Sequence, residues 1–239
     1  MKRLHCIILP ALFISAILAM SSNELIAQQD DTIDDYGAWF MFLGEGRFTE
    51  ETSKYGRFKW WFDAHARFLD DSSGFAQSIL RPGLGYAISD AVSVWLGYAW
   101  VHTDLEQSRG IDENRIWQQL IWSTRFEPVN FMSRSRLEQR FLDTGSDTGW
   151  RFRQFIKVAY PFENSRLGLA AYDELFFDLN DTDWGADGGI DQNRVFAGVG
   201  VKLAASAKAE IGYLNQFVRR ANRDDAHNHI LSLTLLLAY

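Results

Sequence analysis

The chain is poor in cysteine and proline: its 239 residues contain one cysteine, Cys6, and four prolines. A single cysteine excludes a scaffold built on intramolecular disulfides. Basic residues are also in the minority, with 24 lysines and arginines against 31 aspartates and glutamates and a net charge of -7. That balance argues against nucleic-acid binding, which relies on a basic surface. We therefore predict no nucleic-acid partner.

Long apolar runs are almost absent. The exception covers residues 7–20 and follows Lys2 and Arg3. A positive start, an apolar middle and a polar exit form the layout of a secretory signal, and the run is short for a transmembrane helix. We predict a signal peptide over residues 1–27 that is cleaved on export. An uncleaved membrane anchor is the alternative.

The rest of the chain divides into a leader and one domain. Residues 28–35 are acidic and are predicted to form an exposed leader. From residue 36 to 239, segments that alternate in polarity are separated by turns rich in Gly, Asp, Asn and Ser, and helical spacing is nearly absent. A period of two predicts β-strands. The predicted strands are 36–48, 59–68, 75–88, 92–101, 115–126, 134–141, 150–160, 167–177, 194–203, 208–217 and 228–239.

The two faces of these strands differ in polarity. Along 59–68, Trp60 and Phe62 lie on one face, and Asp63 and Arg67 lie on the other. A soluble sandwich would bury the apolar face against a second sheet, whereas a transmembrane barrel would turn it to lipid. The strands are long enough for a tilted membrane span of about 9–11 residues. We therefore predict a closed antiparallel up-and-down transmembrane β-barrel in the bacterial outer membrane, with outer-membrane lipid as a partner.

The connections and the strand number bear on this fold. Short connections are predicted at 127–128, 161–165 and 204–205. Long polar ones are predicted at 102–112, 143–149, 178–191 and 219–227. Short turns at one end and long loops at the other are typical of outer-membrane barrels. The pattern contains eleven strands, but bacterial single-chain barrels have an even number. We therefore predict twelve strands, with ten as the alternative.

The final segment ends on a stripe of apolar residues. Leu231, Leu233, Leu235, Leu237 and Tyr239 lie on one face. A terminal aromatic residue on the lipid-facing side resembles the signal by which outer-membrane barrels are recognised for insertion. We therefore expect the barrel-assembly machinery to bind the chain through Tyr239.

If the apolar face points outward, charged residues fill the interior. The predicted lumen charge ladder consists of Arg115, Arg134, Arg136, Glu138, Arg140, Arg151, Arg153, Glu174, Arg194 and Glu210. Mutual pairing would give these residues a purely structural role, whereas the excess of arginine would favour an anionic solute. Both interpretations stay open. Inward glycines, among them Gly85, Gly97 and Gly212, are predicted to make room for long arginines from across the lumen.

Other patterns are weaker. His227 and His229 share a strand face but lack the third ligand that a zinc site needs. Segment 178–191 is acidic and could bind calcium, but it does not match an EF-hand loop, and a solvated acidic loop is the simpler interpretation. The sequence contains no Ser-His-Asp order, nucleotide loop or cysteine pair. We therefore predict no catalytic residue, metal or cofactor.

Six motifs resemble those of a known family. They are ENRIWQQ at 113–119, RSRLEQRF at 134–141, DELF at 173–176, DQNRVFAG at 191–198, GYLNQ at 212–216 and NHI at 228–230. In this order they resemble the bacterial domain-of-unknown-function 2490 family, regarded as outer-membrane barrels. The resemblance covers the chain from about Tyr36 onward. It implies a barrel but no activity.

Three functions stay open at this point. The favoured one is a narrow channel or binding barrel for a small solute. The excess of basic residues in the lumen would favour an anionic solute. The second is an outer-membrane enzyme that acts on lipid or lipopolysaccharide, which would require an outward Ser-His-acid cluster. The third is a purely structural barrel.

Overall fold

The computed structural model describes residues 32–71, 74–105, 108–220 and 224–238. The predicted signal peptide, most of the predicted leader and Tyr239 lie outside these ranges. Among the residues inside them, no helix is long and apolar enough to span a membrane.

Within the described residues, eleven β-strands form a single closed barrel. They are β1 (Thr32–Arg47), β2 (Phe58–Leu69), β3 (Gly74–Ala87), β4 (Val92–Leu105), β5 (Ser108–Phe126), β6 (Val129–Leu142), β7 (Gly149–Pro161), β8 (Leu167–Asp178), β9 (Gly189–Lys202), β10 (Ala207–Val218) and β11 (Asp225–Ala238). The predicted all-β closed barrel is confirmed, and one sheet closed on itself excludes the sandwich.

The predictions of twelve or ten strands, and of a wholly antiparallel sheet, are wrong. Consecutive strands pair antiparallel. Strands β1 and β11 therefore run in the same direction, and they are neighbours in the closed sheet. An even number is required only when every pair is antiparallel, so one parallel pair lets eleven strands close. The two ends of the barrel are named here the N-terminal rim, where β1 begins, and the C-terminal rim, where β11 ends.

Several strands are longer than predicted. Strand β1 begins at Thr32 and so includes residues 32–35 of the predicted leader. Strands β4 and β5 leave only residues 106–107 between them, so the long connection predicted at 102–112 is instead a hairpin. The cause is the polarity of the outer face at this end, where His102 and Asp112 stand in place of apolar residues, so that the segment resembles a loop in sequence. Conversely, the C-terminal rim carries a long connection at 48–57.

The barrel wall is apolar on the outside and charged on the inside. Leu84, Leu96 and Leu231 on the outer face are 58–64% exposed. Cross-strand pairs such as Asp63 and Arg81 lie on the inner face and are buried. The polar face of the predicted alternation therefore lines the lumen, and the apolar face points outward.

Two apolar clusters share the lumen with the charges. One contains Trp61, Trp95, Ala99, Trp117 and Ile121, and the other contains Trp39, Ala170, Phe196, Leu214 and Ile230. The inward glycines make room for these rings and not for arginines: a Cβ added at Gly97 would collide with Trp117, and one at Gly85 with Trp95. At Gly212 the backbone of β9 fills the space.

Candidate functional site

All ten residues of the predicted charge ladder lie at inward positions of β5 to β10, and all but Arg134 are buried. Glu138 lies at the centre of the ladder. Its Oε1 accepts a hydrogen bond of 2.7 Å from Arg153 Nη1. Arg136 and Arg115 approach the same carboxylate at 3.6 and 3.7 Å. Three arginines therefore share this one carboxylate.

Two more carboxylates inside the barrel are each shared by at least two cations: Glu174 of the ladder, and Glu113, which the predicted ladder did not include. Glu174 accepts hydrogen bonds from Arg153 at 2.7 Å and from Arg134 at 2.8 Å. Glu113 binds Arg115 at 2.7 Å and Arg140 at 2.5 Å. Every one of these carboxylates therefore already has a basic partner.

Glu210 lies in a different part of the lumen from the other nine residues. It binds Lys157 at 2.6 Å and Lys208 at 2.7 Å. Lys208 lies one residue after the start of β10, so this cluster is near the C-terminal rim. The structure therefore separates Glu210 from the arginine-rich region.

A cavity of about 450 Å³ lies inside the barrel on the side of the N-terminal rim. It is lined by seven arginines and three carboxylates. These are Arg67, Arg81, Arg115, Arg140, Arg151, Arg153 and Arg194, with Glu113, Asp178 and Asp191. The lining therefore carries a formal excess of four positive charges.

A second cavity, of about 380 Å³, lies on the side of the C-terminal rim. Lys202 and Lys208 line it, together with several Gly and Ala residues. Between the two cavities lie side chains that are at most 1% exposed, among them Trp117, Arg136 and Glu138. The two ends of the lumen are thus separated by a buried layer.

Arg67 differs from the ladder residues in its partners. Its Nη1 donates a hydrogen bond of 2.7 Å to the amide oxygen of Gln77, and no carboxylate of the described residues lies within 4.0 Å of it. Its guanidinium carbon lies 4.1 Å from the ring centroid of Trp39. Sequence reasoning placed Arg67 on the polar face but could not identify it as unpaired, because pairing depends on strands distant in sequence.

The connection between β8 and β9 lies over the cavity at the N-terminal rim. Trp184 lines the cavity, and the guanidinium carbon of Arg140 lies 4.9 Å from its ring centroid. Asp183 joins this connection to the one between β6 and β7, since its carboxylate accepts hydrogen bonds from the backbone N–H groups of Ser146 and Asp147. The backbone N–H and hydroxyl of Ser146, with the N–H of Asp147, lower the pKa of the Asp183 carboxyl.

This junction predicts a pH dependence for the loop. Because the pKa of Asp183 is lower in the folded protein than its ordinary value of 3.8, the interaction is present above pH 3.8 and is lost only as the pH falls through the folded value. We expect Asp183→Ala to speed hydrogen–deuterium exchange at Ser146 and Asp147 at pH 7. Asp187→Ala, in the same connection, is the control, and equal exchange in both variants would contradict the prediction.

The residues considered for metal binding have other partners. The Nδ1 atom of His229 lies 2.6 Å from the Tyr213 hydroxyl, and His227 packs against Phe217. In segment 178–191, Asp181 accepts a hydrogen bond from the backbone N–H of Gly188. Within the described ranges, no group of three or more His, Cys, Asp or Glu residues could hold a metal ion.

Ser78, His102 and Asp112 lie side by side on the outer face of β3, β4 and β5. The Nδ1 atom of His102 lies 2.8 Å from Asp112. The Nε2 atom points towards Gly110 on β5, whereas Ser78 is on the opposite side, on β3. The histidine is therefore not positioned to take a proton from the serine, and this row does not form a catalytic triad.

The comparisons with known proteins agree with one another. A family model described as "Protein of unknown function (DUF2490)" matches residues 36–227. The chain is also 36% identical over 180 residues to an uncharacterized protein of Methylorubrum extorquens, covering 74% of this chain and 79% of the relative.

Proposed function

Because the chain belongs to the DUF2490 family of proteins of unknown function, membership brings no activity with it, and we propose that the protein is an outer-membrane β-barrel that binds a small anionic solute in the cavity at its N-terminal rim. The observation that carries this proposal is the lining of seven arginines against three carboxylates. Arginine is the side chain best suited to bind carboxylate and phosphate groups.

The outer wall supports the location in a membrane. Large apolar side chains such as Leu80, Leu84 and Leu96 are exposed on neighbouring strands. In water, an apolar surface that runs around the barrel would promote aggregation, whereas lipid would cover it at no such cost. The predicted signal peptide supports export to that membrane.

The interior supports binding over conduction. A channel needs a continuous polar path, but Trp117, Arg136 and Glu138, which lie between the two cavities, are at most 1% exposed. The cavity at the N-terminal rim therefore ends in a floor of packed side chains. A solute that enters it would be held there and leave by the same route.

The proposal predicts a membrane protein that does not conduct. We expect the mature chain to fractionate with outer membranes and, after reconstitution in planar bilayers, to show no steady conductance at any applied voltage. We also expect citrate or phosphate to raise the thermal unfolding midpoint of the barrel in detergent more than chloride does at matched ionic strength, because an anion that binds only the folded state stabilises it.

Three results would contradict this function. Recovery of the chain in the soluble fraction would exclude the membrane location. A steady ohmic current would favour a channel over a binding barrel. Equal unfolding midpoints in citrate, phosphate and chloride would exclude anion binding.

A further inference from the structure

Two guanidinium groups lie against one indole in the cavity, although their positive charges repel each other. Trp39 and Arg67 are directly opposite on β1 and β2, and the carbon Cζ of Arg67 lies 4.1 Å from the Trp39 ring centroid. Arg194, on β9, places its Cζ 4.9 Å from the same centroid. The barrel thus brings together two cations from strands far apart in sequence.

Neutral amides hold these two arginines. The amide oxygen of Gln77 accepts from Arg67 at 2.7 Å, and the amide oxygen of Gln192 accepts from Arg194 at 2.9 Å. The nearest carboxylate to Arg194 is Glu174, at 4.0 Å, and its shorter contacts go to other arginines. The amides orient the guanidinium groups without neutralising them.

The same cluster has more hydrogen-bond donors than acceptors. Trp39 Nε1, Arg67 Nε and Arg194 Nε are buried N–H groups without an acceptor among the described residues. Buried donors in native proteins almost always have a partner. Arg67 and Arg194 are each only 8% exposed, and both line the cavity. An anion bound beside them in the cavity would supply the missing negative charge.

The charge and shape of the cluster identify the class of anion. Two guanidinium groups match a group with several oxygens and close to two negative charges, which is the chemistry of a phosphoryl group. The cavity of about 450 Å³ is of the size that holds small organic ligands, about 300–1,000 Å³. Phe176 and Ile79 add apolar wall beside the arginines.

We propose that Arg67, Arg194 and Trp39 form a binding site for a phosphoryl group, as inorganic phosphate or as the phosphate monoester of a small organic molecule. The site rests on the proposed anion-binding function and specifies its ligand. Gln77 and Gln192 act as positioning residues that hold the two guanidinium groups.

The test uses the mature chain folded in detergent micelles and isothermal titration calorimetry. The probes are inorganic phosphate and glycerol 3-phosphate, with citrate as the comparison anion at matched ionic strength. We expect saturable binding of a phosphoryl probe and a loss of about tenfold or more in affinity in Arg67→Gln, equivalent to about 1.4 kcal/mol. Tighter binding of the ester would identify a monoester ligand, and equal binding would identify inorganic phosphate.

The matched control is Arg125→Gln. Arg125 lies on β5 near the C-terminal rim, where its side chain is 55% exposed and pairs with Glu127. We expect this variant to bind the phosphoryl probe as the unaltered protein does. If Arg67→Gln does not fold, Arg194→Gln removes the other guanidinium group of the site and should also weaken binding.

Three outcomes would overturn the inference. Unchanged phosphoryl binding in a folded Arg67→Gln variant would show that the anion lies elsewhere. Binding of citrate without binding of either phosphoryl probe would remove the phosphoryl assignment and leave the proposed function intact. Failure of all three anions to bind would remove both.

Discussion

Glu138→Gln should lower the free energy of unfolding by about 3–5 kcal/mol, because removing one member of a buried charge network leaves its partners uncompensated. Glu138 is 0% exposed. Its carboxylate binds Arg153 at 2.7 Å and lies 3.6 Å from Arg136. Glutamine keeps the shape of the side chain, so the loss of unfolding free energy would come from the missing charge and not from a change in volume.

The measurement is urea unfolding of the barrel in detergent micelles, followed by tryptophan fluorescence. Glu127→Gln is the matched control, since Glu127 is 76% exposed and pairs with Arg125 on the surface. An exposed ion pair contributes only about 0–1 kcal/mol. Similar losses in the two variants would contradict the prediction.

A double substitution keeps the prediction testable if Glu138→Gln does not fold. Glu138→Met with Arg153→Met removes the closest pair together, and Glu174 keeps Arg134 at 2.8 Å. Replacing both members of a buried pair by apolar residues of similar size is often close to neutral. We therefore expect the double variant to be more stable than Glu138→Gln, and the reverse order would count against the network.

Trp117→Ala should lower the free energy of unfolding by about 3–5 kcal/mol, the usual range for truncating a buried tryptophan. Trp117 is 0% exposed. Its ring lies 6.5 Å, centroid to centroid, from that of Trp61 and 4.7 Å from the guanidinium carbon of Arg136. The void would lie in the layer between the two cavities, so we also expect a small conductance that the unaltered barrel lacks.

Gly97 supplies a sharper version of this test. A Cβ at Gly97 would overlap the Trp117 ring and lie 2.5 Å from the carbonyl oxygen of Pro82. Gly97→Val alone should therefore destabilise the barrel by about 1–3 kcal/mol through overpacking. Combined with Trp117→Ala, the same substitution fills part of the void and should be less harmful than it is alone.

The control for Trp117 is Trp122→Ala on the outer face of the same strand. Trp122 is 40% exposed, and its truncation leaves no enclosed void. Urea unfolding would measure stability, and planar bilayers would measure current. A smaller loss of unfolding free energy for Trp117→Ala than for Trp122→Ala would contradict the prediction that Trp117 packs in the layer between the two cavities.

The sequence alone determined the strands and the direction in which their side chains point. Alternation of polar and apolar residues is a local property, since neighbouring side chains on a strand face opposite sides. The eleven predicted segments are therefore all strands, and residues such as Arg136 and Glu138 lie inside. The same locality explains the error at 102–112, where alternating charges of a strand end resembled a loop.

Only the tertiary structure decided how the strands close and which charges stay unpaired. The parallel contact between β1 and β11 joins the two ends of the sheet, and no local pattern specifies it. Arg67 meets Arg194 across the lumen, and Gly97 faces Trp117, because closure brings distant strands together. Pairing energies depend on distances between such residues, and those distances exist only once the barrel has closed.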